Sequence, residues 1–410
     1  MNLLERPAVI LGGGPAGLAT GIALAQSGVP AVLFERRALP HAKVCGEGLM
    51  PTGLAALREL GVRLPESAAV FRGIRYVDAG TGSAAVAEFQ EGPGRGLPRR
   101  ILADRLLEAA RAHADLLEIR DRTLCDAITP LANTGEWELR VGDEFQRTPL
   151  LIGADGLHSA VRRAATLERA PGKRSPLRWG ARWHFELAPW TDELVEVRLA
   201  GSVPGVECYV TPVGPREVGV AFLWNRRQWS PDGGARGLLP GLLDCFPEVR
   251  ERLDGLGPLD DGGAIGPLYQ PVRAVTAPGV MLLGDAAGYI DAATGEGLSL
   301  AFEQAVALRD SLTRANTADD APISPRTARR VLRRYRRDYK RITANYRLTT
   351  RLVLWLGRRP RLLRRVIAGL RASPRFFQHL LSVNMNTSGF FAVSPIALVR
   401  FLTGALRGPR

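Results

Sequence analysis

Cysteine is scarce in this 410-residue chain. Cys45, Cys125, Cys208 and Cys245 lie far apart, with no CxxC pair. That excludes a disulfide framework and a cysteine-built zinc site, and it fits a reducing cytoplasm. His158 and His184 have no carboxylate or second histidine at ligand spacing, so no metal is expected. No run of about 20 apolar residues occurs, so no membrane-spanning helix is expected. The first apolar stretch, "AVILGGGPAG", is glycine-rich and begins too early for a secretory signal. Acid is missing from one end. Residues 326–410 carry 21 Lys and Arg against one acid, Asp338, whereas the rest holds 34 basic and 40 acidic residues. The net charge of +14 therefore describes one surface and not the body of the molecule. No nucleic-acid-binding module accompanies the charge, so nucleic acid is not an expected partner.

The chain is long enough for two or three domains, and 46% of it is hydrophobic. Residues 7–35 read as strand, glycine turn, helix and strand. "LLIGADGLHSAVRRAA" repeats the strand-turn-helix pattern, and "GVMLLGDAAG" returns to a buried strand and loop. Between them, residues 177–224 alternate like half-exposed strands, ending near Leu187 and Ala200 among others. The Pro/Gly-rich stretches near 92–98 and 255–267 read as crossings between domains. From about residue 326 the chain reads as helix, with Leu362, Leu363, Val366, Ile367 and Leu370 on one face and arginines largely opposite.

Three stretches carry chemistry. In "GGGPAG", Gly12 permits a tight turn, Gly14 lets the backbone approach a pyrophosphate, and Gly17 allows close helix-strand packing. The helix opening at Pro15 and Ala16 then turns unpaired N–H groups toward the phosphates. Glu35 ends the second strand, where an acid binds a ribose diol and repels a 2′-phosphate; Arg36 follows it. "GADGLHSAVRR" places Asp155 and Gly156 at a second strand-helix turn. "GDAAGYIDAATGEGLSLAF" places Gly284 and Asp285 after a strand, then Gly295, Glu296, Gly297 and Leu298 before a helix. An Asp-Gly turn and a helix cap are the ordinary explanations of such residues taken singly. Trp183, Tyr209 and Phe222 are candidates for an apolar pocket, or for plain core.

In this order and spacing, the three stretches resemble the FAD-dependent monooxygenases of the para-hydroxybenzoate hydroxylase fold, over about residues 7–320. "KVCGEGL" and "GYIDAATGEGL" look more like the geranylgeranyl reductase branch and its relatives acting on polyketides. The resemblance implies an α/β chain: a Rossmann-like FAD-binding domain (1–70, 98–172 and 262–325), an inserted antiparallel β-sheet substrate domain (71–97 and 173–261), and a basic C-terminal helical region (326–410). It implies non-covalent FAD and NAD(P)H as electron donor. Glu35 would hold the adenosine ribose, Arg100 the pyrophosphate region and Asp285 the ribityl chain, with Asp155 serving FAD and NADPH binding. The 295–297 loop would present bare N–H groups to the N1–C2=O edge of the flavin, where a helix N-terminus stabilises negative charge. Cys45 is placed near the flavin, and with Gly295 and Gly297 it is the expected chemical centre. The chain departs from aromatic hydroxylases in having Ala287-Gly288 and Ala292-Ala293 in place of Ala-His and a proline, and it lacks the Trp-x-Trp-x-x-Pro pattern of flavin halogenases around Trp179 and Trp183.

The expected reaction is hydroxylation of a lipophilic polyketide- or isoprenoid-type molecule. Alkene reduction of the geranylgeranyl type, and electron transfer by a membrane-docked flavoprotein, remain alternatives. The basic helices are expected to cap the body with a solvated arginine face, or to meet an anionic membrane surface or an acidic acyl carrier protein. The expected location is cytoplasmic, peripheral to a membrane where lipid is the partner.

Overall fold

The computed structural model describes residues 6–172, 175–186, 193–199, 203, 205–229, 234–315 and 324–408. The expected strand ends at Leu187 and Ala200 lie outside these residues. Strand β1 (Ala8–Leu11) is buried along its whole length and runs into helix α1 (Pro15–Gln26). Four successive apolar residues can be buried on both faces only inside a parallel sheet covered by helices. β1 pairs in parallel with β2 (Ala31–Phe34) on one side and with β3 (Leu151–Gly153) on the other. The full order is Thr276–Ala277, Val280–Leu282, β3, β1, β2, Leu117–Arg120. The chain thus leaves β1 for β2 on one side, while β3 arrives on the other. A crevice opens at such a switch point, at the carboxyl ends of the strands.

A second sheet has seven strands in the order Gly263–Ile265, Arg178–Glu186, Glu217–Asn225, Glu207–Pro212, Leu194–Leu199, Gly73–Asp78, Ala84–Glu88. Its pairs are antiparallel except that 194–199 runs parallel to 73–78. The half-exposed pattern expected for this sheet is not found: Leu194–Leu199 is buried throughout, and Arg178–Glu186 nearly so. Phe222, Val220 and Cys208 pack with Leu242, Phe246 and Val249, from the helical segments after residue 234. Ile74, Val195 and Val197 pack against Leu363, Ile367, Phe377 and Leu381 of the C-terminal helices. Both faces are covered, so polar residues on these strands belong to buried networks and not to a wet face.

The C-terminal region forms α3 (Pro325–Gly357), α4 (Pro360–Ala372), α5 (Pro374–Asn384) and α6 (Pro395–Arg407), after α2 (Gly297–Thr313). Each of these four begins with proline, which lacks the N–H that a first helical residue cannot use. Helix α3 is held on the body by three buried tyrosines. The hydroxyls of Tyr335, Tyr339 and Tyr346 donate to the carbonyls of Leu282, Ala287 and Asp291 at 2.8, 2.9 and 2.9 Å. The basic segment therefore supports the loop that carries Asp285 and is not a detached tail. No helix among the described residues is long and apolar enough to cross a membrane.

Candidate functional site

The crevice at the switch point continues to the face of the second sheet as one cleft, enclosing about 1550 Å³ with its open mouth included. Gly14, Pro15, Ala16, Gly284, Asp285, Gly295, Gly297 and Leu298 line its nucleotide end, and Cys45 lies along it. Ile74, Val195, Val197, Tyr209, Phe222, Leu223 and Leu268 line an apolar end.

The three glycines of the first turn are required for different reasons. Gly12 has φ +107°, and a Cβ there would lie 2.5 Å from the carbonyl oxygen of Ala154. A Cβ on Gly17 would lie 1.7 Å from the carbonyl oxygen of Gly12. These two positions are closed by the protein's own packing. At Gly14 a Cβ would meet no protein atom within 4 Å, so it would project into the cleft. Nothing in the chain itself demands glycine there, whereas a ligand lying against the backbone does. Behind this wall, Glu35 accepts from the N–H of Gly13 at 2.7 Å and of Arg37 at 2.9 Å. Burial alone would raise its pKa. Its contact with His41, at 3.5 Å, and the two N–H donors outweigh burial and hold it at about 2. Glu35 is thus an ionised acceptor with spare lone pairs for a ribose hydroxyl.

At the other wall, Gly295 has φ +70° and its N–H donates to the carbonyl of Ala292 at 3.0 Å. Its donor is therefore taken, contrary to the expectation for the whole 295–297 loop. Among the described residues nothing accepts from the N–H groups of Glu296, Gly297 and Leu298, the first of α2. The Glu296 side chain turns away from the cleft, buried, and accepts from Asn384 of α5 at 2.9 Å. Burial, with Glu303 nearby, raises its pKa to about 8. Held neutral, Glu296 leaves the positive end of the α2 dipole uncompensated and free to act on an anion in the cleft.

Three expected ligands are placed differently. Arg100 is exposed; its neighbour Arg99 is buried and lines the cleft, because the helix that starts there turns consecutive residues to different sides. Arg36 is exposed and does not line the cleft. Asp155 spends one oxygen capping the helix Ala160–Ala164, accepting from Ala160 and Val161 at 2.6 and 3.2 Å, while Ala154 and Gly156 line the cleft beside it. Tyr209 and Phe222 do line the apolar end. Trp183 packs edge-on against Phe222, within the core behind the sheet.

Sequence reasoning missed a buried polar chain. Glu47, in the same "KVCGEGL" as Cys45, lines the cleft with φ +62°. One carboxylate oxygen accepts from the backbone N–H of Arg99 at 2.7 Å; the other lies 2.5 Å from Nε2 of His184. Nδ1 of His184 lies 2.9 Å from Asp260, which is partly exposed. Arg182 joins the group through Asp260. Burial lowers the His184 pKa, but the hydrogen bond and charge of Glu47 more than reverse this and raise it. The chain of groups runs from the cleft to the surface. Its signal was present: Arg178, Arg182 and His184 fall two or four apart on one strand and so share a face. Cys45 lies beside it, its Sγ accepting from the N–H of Glu47 at 3.3 Å and standing 3.7 Å from Arg99.

A second buried cluster fixes the loop before α2. Arg178 holds Asp291 by two bonds, at 3.0 and 3.2 Å, and Glu207 at 2.9 Å. Tyr209 donates to Glu207 at 2.8 Å and contacts the Ala293 carbonyl at 3.1 Å. The second sheet and the loop before α2 are thereby locked together.

Residues 5–212 match a protein-family model described as an FAD binding domain. The digeranylgeranylglycerophospholipid reductase 1 of Methanopyrus kandleri is 28% identical over 312 residues, covering 73% of this chain and 78% of that one. The 6-methylpretetramide 4-monooxygenase of Streptomyces rimosus is 26% identical over 362 residues, covering 85% and 84%. The crystal structure of a flavoprotein/dehydrogenase from Cytophaga hutchinsonii superposes with a TM-score of 0.78 at 15% identity, covering 98% of each chain. That last likeness concerns the fold.

Proposed function

The chain belongs to the FAD binding domain family, and from that premise we propose that it is an NAD(P)H-dependent FAD monooxygenase that hydroxylates a lipophilic, phenolic molecule of polyketide type. The observation that carries this reading is the Glu47–His184–Asp260 chain opening into a cavity with one apolar end. An apolar cavity takes a lipophilic substrate. One polar exit for a proton suits a phenol, which must shed its proton before its ring becomes a strong nucleophile.

The residues present fit FAD. The open N–H groups at Gly14 and Ala16 would hold its pyrophosphate, Glu35 its adenosine ribose, Asp285 its ribityl chain, and the N-terminus of α2 the electron-rich edge of its ring. The redox chemistry, electron uptake from the nicotinamide and activation of O₂, would be supplied by FAD held by these residues. The protein does the rest. Apolar side chains orient the substrate and exclude water. Glu47 accepts the phenol proton and His184 passes one on toward Asp260 and solvent. Arg99 places its guanidinium beside Cys45, and its backbone N–H holds Glu47 in position.

Cys45 on the cleft wall favours a second reading, alkene reduction on a prenyl chain. There the same relay would run inward and protonate the carbon that does not receive hydride. Oxygen electrode measurements with NADPH and a panel of alkyl phenols and prenyl lipids separate the two. Substrate-stimulated O₂ uptake supports hydroxylation; turnover that persists without O₂ supports reduction.

A further inference from the structure

Helix α6 is exposed along most of its length. Its inner side packs on α4: a Cβ on Gly404 would fall 2.4 Å from the Cβ of Ala372, and one on Gly369 would meet Phe401. Ala397 is its one residue recorded as buried. On the opposite side, Ile396, Val399, Leu402 and Leu406 recur at steps of three and four, exposed by 69, 61, 49 and 79%. The residues just before the helix continue the pattern, with Phe391 96% exposed and Phe390 41%. A solvated helix would place polar residues on this side. Here the outer stripe is apolar, and Arg400 and Arg407 flank it. Neither arginine pairs with an acid among the described residues, in a segment of 85 residues holding one acid.

We propose that α6, with Phe390 and Phe391, is a docking face that lies flat in the interface of an anionic lipid bilayer. Isoleucine, valine, leucine and phenylalanine on one stripe enter the acyl boundary, while flanking arginines meet lipid phosphates. An acidic acyl carrier protein would satisfy the arginines but would leave this apolar stripe in water. The choice of a bilayer rests also on the reading of the cavity as a site for a lipophilic substrate, which such a surface would supply. The arginines of α4 serve partly inside the protein: Arg364 lies 3.4 Å from buried Asp78, and Arg371 bonds Ser83.

The test is co-sedimentation of the FAD-loaded, full-length protein with vesicles of two parts phosphatidylcholine to one part phosphatidylglycerol. The double variant Ile396→Glu/Leu406→Glu should bind at least tenfold more weakly with its melting temperature unchanged. Arg400→Gln/Arg407→Gln should lose about tenfold at low salt, and its binding should depend less on salt than the parent's. Unchanged partition in both variants would overturn the proposal. So would tight, salt-sensitive binding to an acidic acyl carrier protein in the absence of vesicle binding. Turnover of detergent-dispersed substrate probes the reaction without any bilayer, so failure of the docking face and failure of the catalytic reading are told apart.

Discussion

The Glu47 carboxylate and the His184 imidazole stand 2.5 Å apart, joining the loop after β2 to the strand Arg178–Glu186 across the cleft. Both are buried, yet Asp260 on the far side of His184 reaches solvent. The three groups form a continuous polar path from the cleft wall to solvent.

His184→Gln should keep the shape of this contact but remove its titration. We expect kcat to fall about a hundredfold, in the range typical of general acid–base groups, with FAD content unchanged. The pH–rate profile should lose the limb that the relay contributes. An unaltered profile would show that the pair only braces the cleft.

Gly14 and Gly17 should separate ligand space from packing space. Gly14→Val should leave a folded, colourless protein, because its side chain meets only the cleft. Gly17→Val should fail to fold, because a Cβ there collides with the backbone of Gly12. Absorbance near the flavin band and circular dichroism of the two variants check this.

Glu296 and Glu303 link the seating of the C-terminal helices to pH. Burial raises their pKa values to about 8 and about 7. A folded-state pKa above the ordinary carboxylate value means that the protonated form stabilises the fold at low pH. That contribution shrinks as pH rises above about 4.5 and is lost through about 8. Protection of α5 amides against hydrogen exchange should therefore fall between pH 6 and 9. In Glu296→Gln, which can still accept from Asn384, that fall should be smaller.

Asp291 answers to Arg178 inside the protein, with both side chains almost fully buried. Asp291→Ala would leave the guanidinium with Glu207 as its remaining charge partner. Breaking a buried pair from one side costs about 3–5 kcal/mol, so the midpoint of urea unfolding should drop clearly. Loss of FAD affinity should accompany it, since Asp291 also accepts from the N–H of Ala293 in the loop before α2.

Much of the nucleotide end was legible in the sequence. Glycine turns after short apolar strands announce themselves through spacing, and Gly12, Gly14, Gly17 and Glu35 stand at one switch point. The prolines at 325, 360, 374 and 395 also mark helix starts. The substrate end was not legible, because it depends on which strands become covered. Residues 178–186 look amphipathic, yet helices and the cleft bury both sides, so Arg178 and His184 become members of buried networks. Arg99 and Arg100 could not be told apart without the rotation of the helix they begin. Of the apolar face expected on α4, Leu363, Ile367 and Leu370 are buried and Leu362 is exposed, whereas similar spacing in α6 describes an outward stripe.

Oxygen uptake is the most direct measurement of the central claim. Purified, FAD-loaded protein is supplied with NADPH and a prenylated phenol, which offers both a ring to hydroxylate and an alkene to reduce, in an oxygen electrode. NADPH oxidation should rise on adding the phenol, with one O₂ consumed and one hydroxyl group gained per turnover. Substrate-dependent NADPH oxidation that continues unchanged under argon, yielding a product two hydrogens heavier, would contradict it.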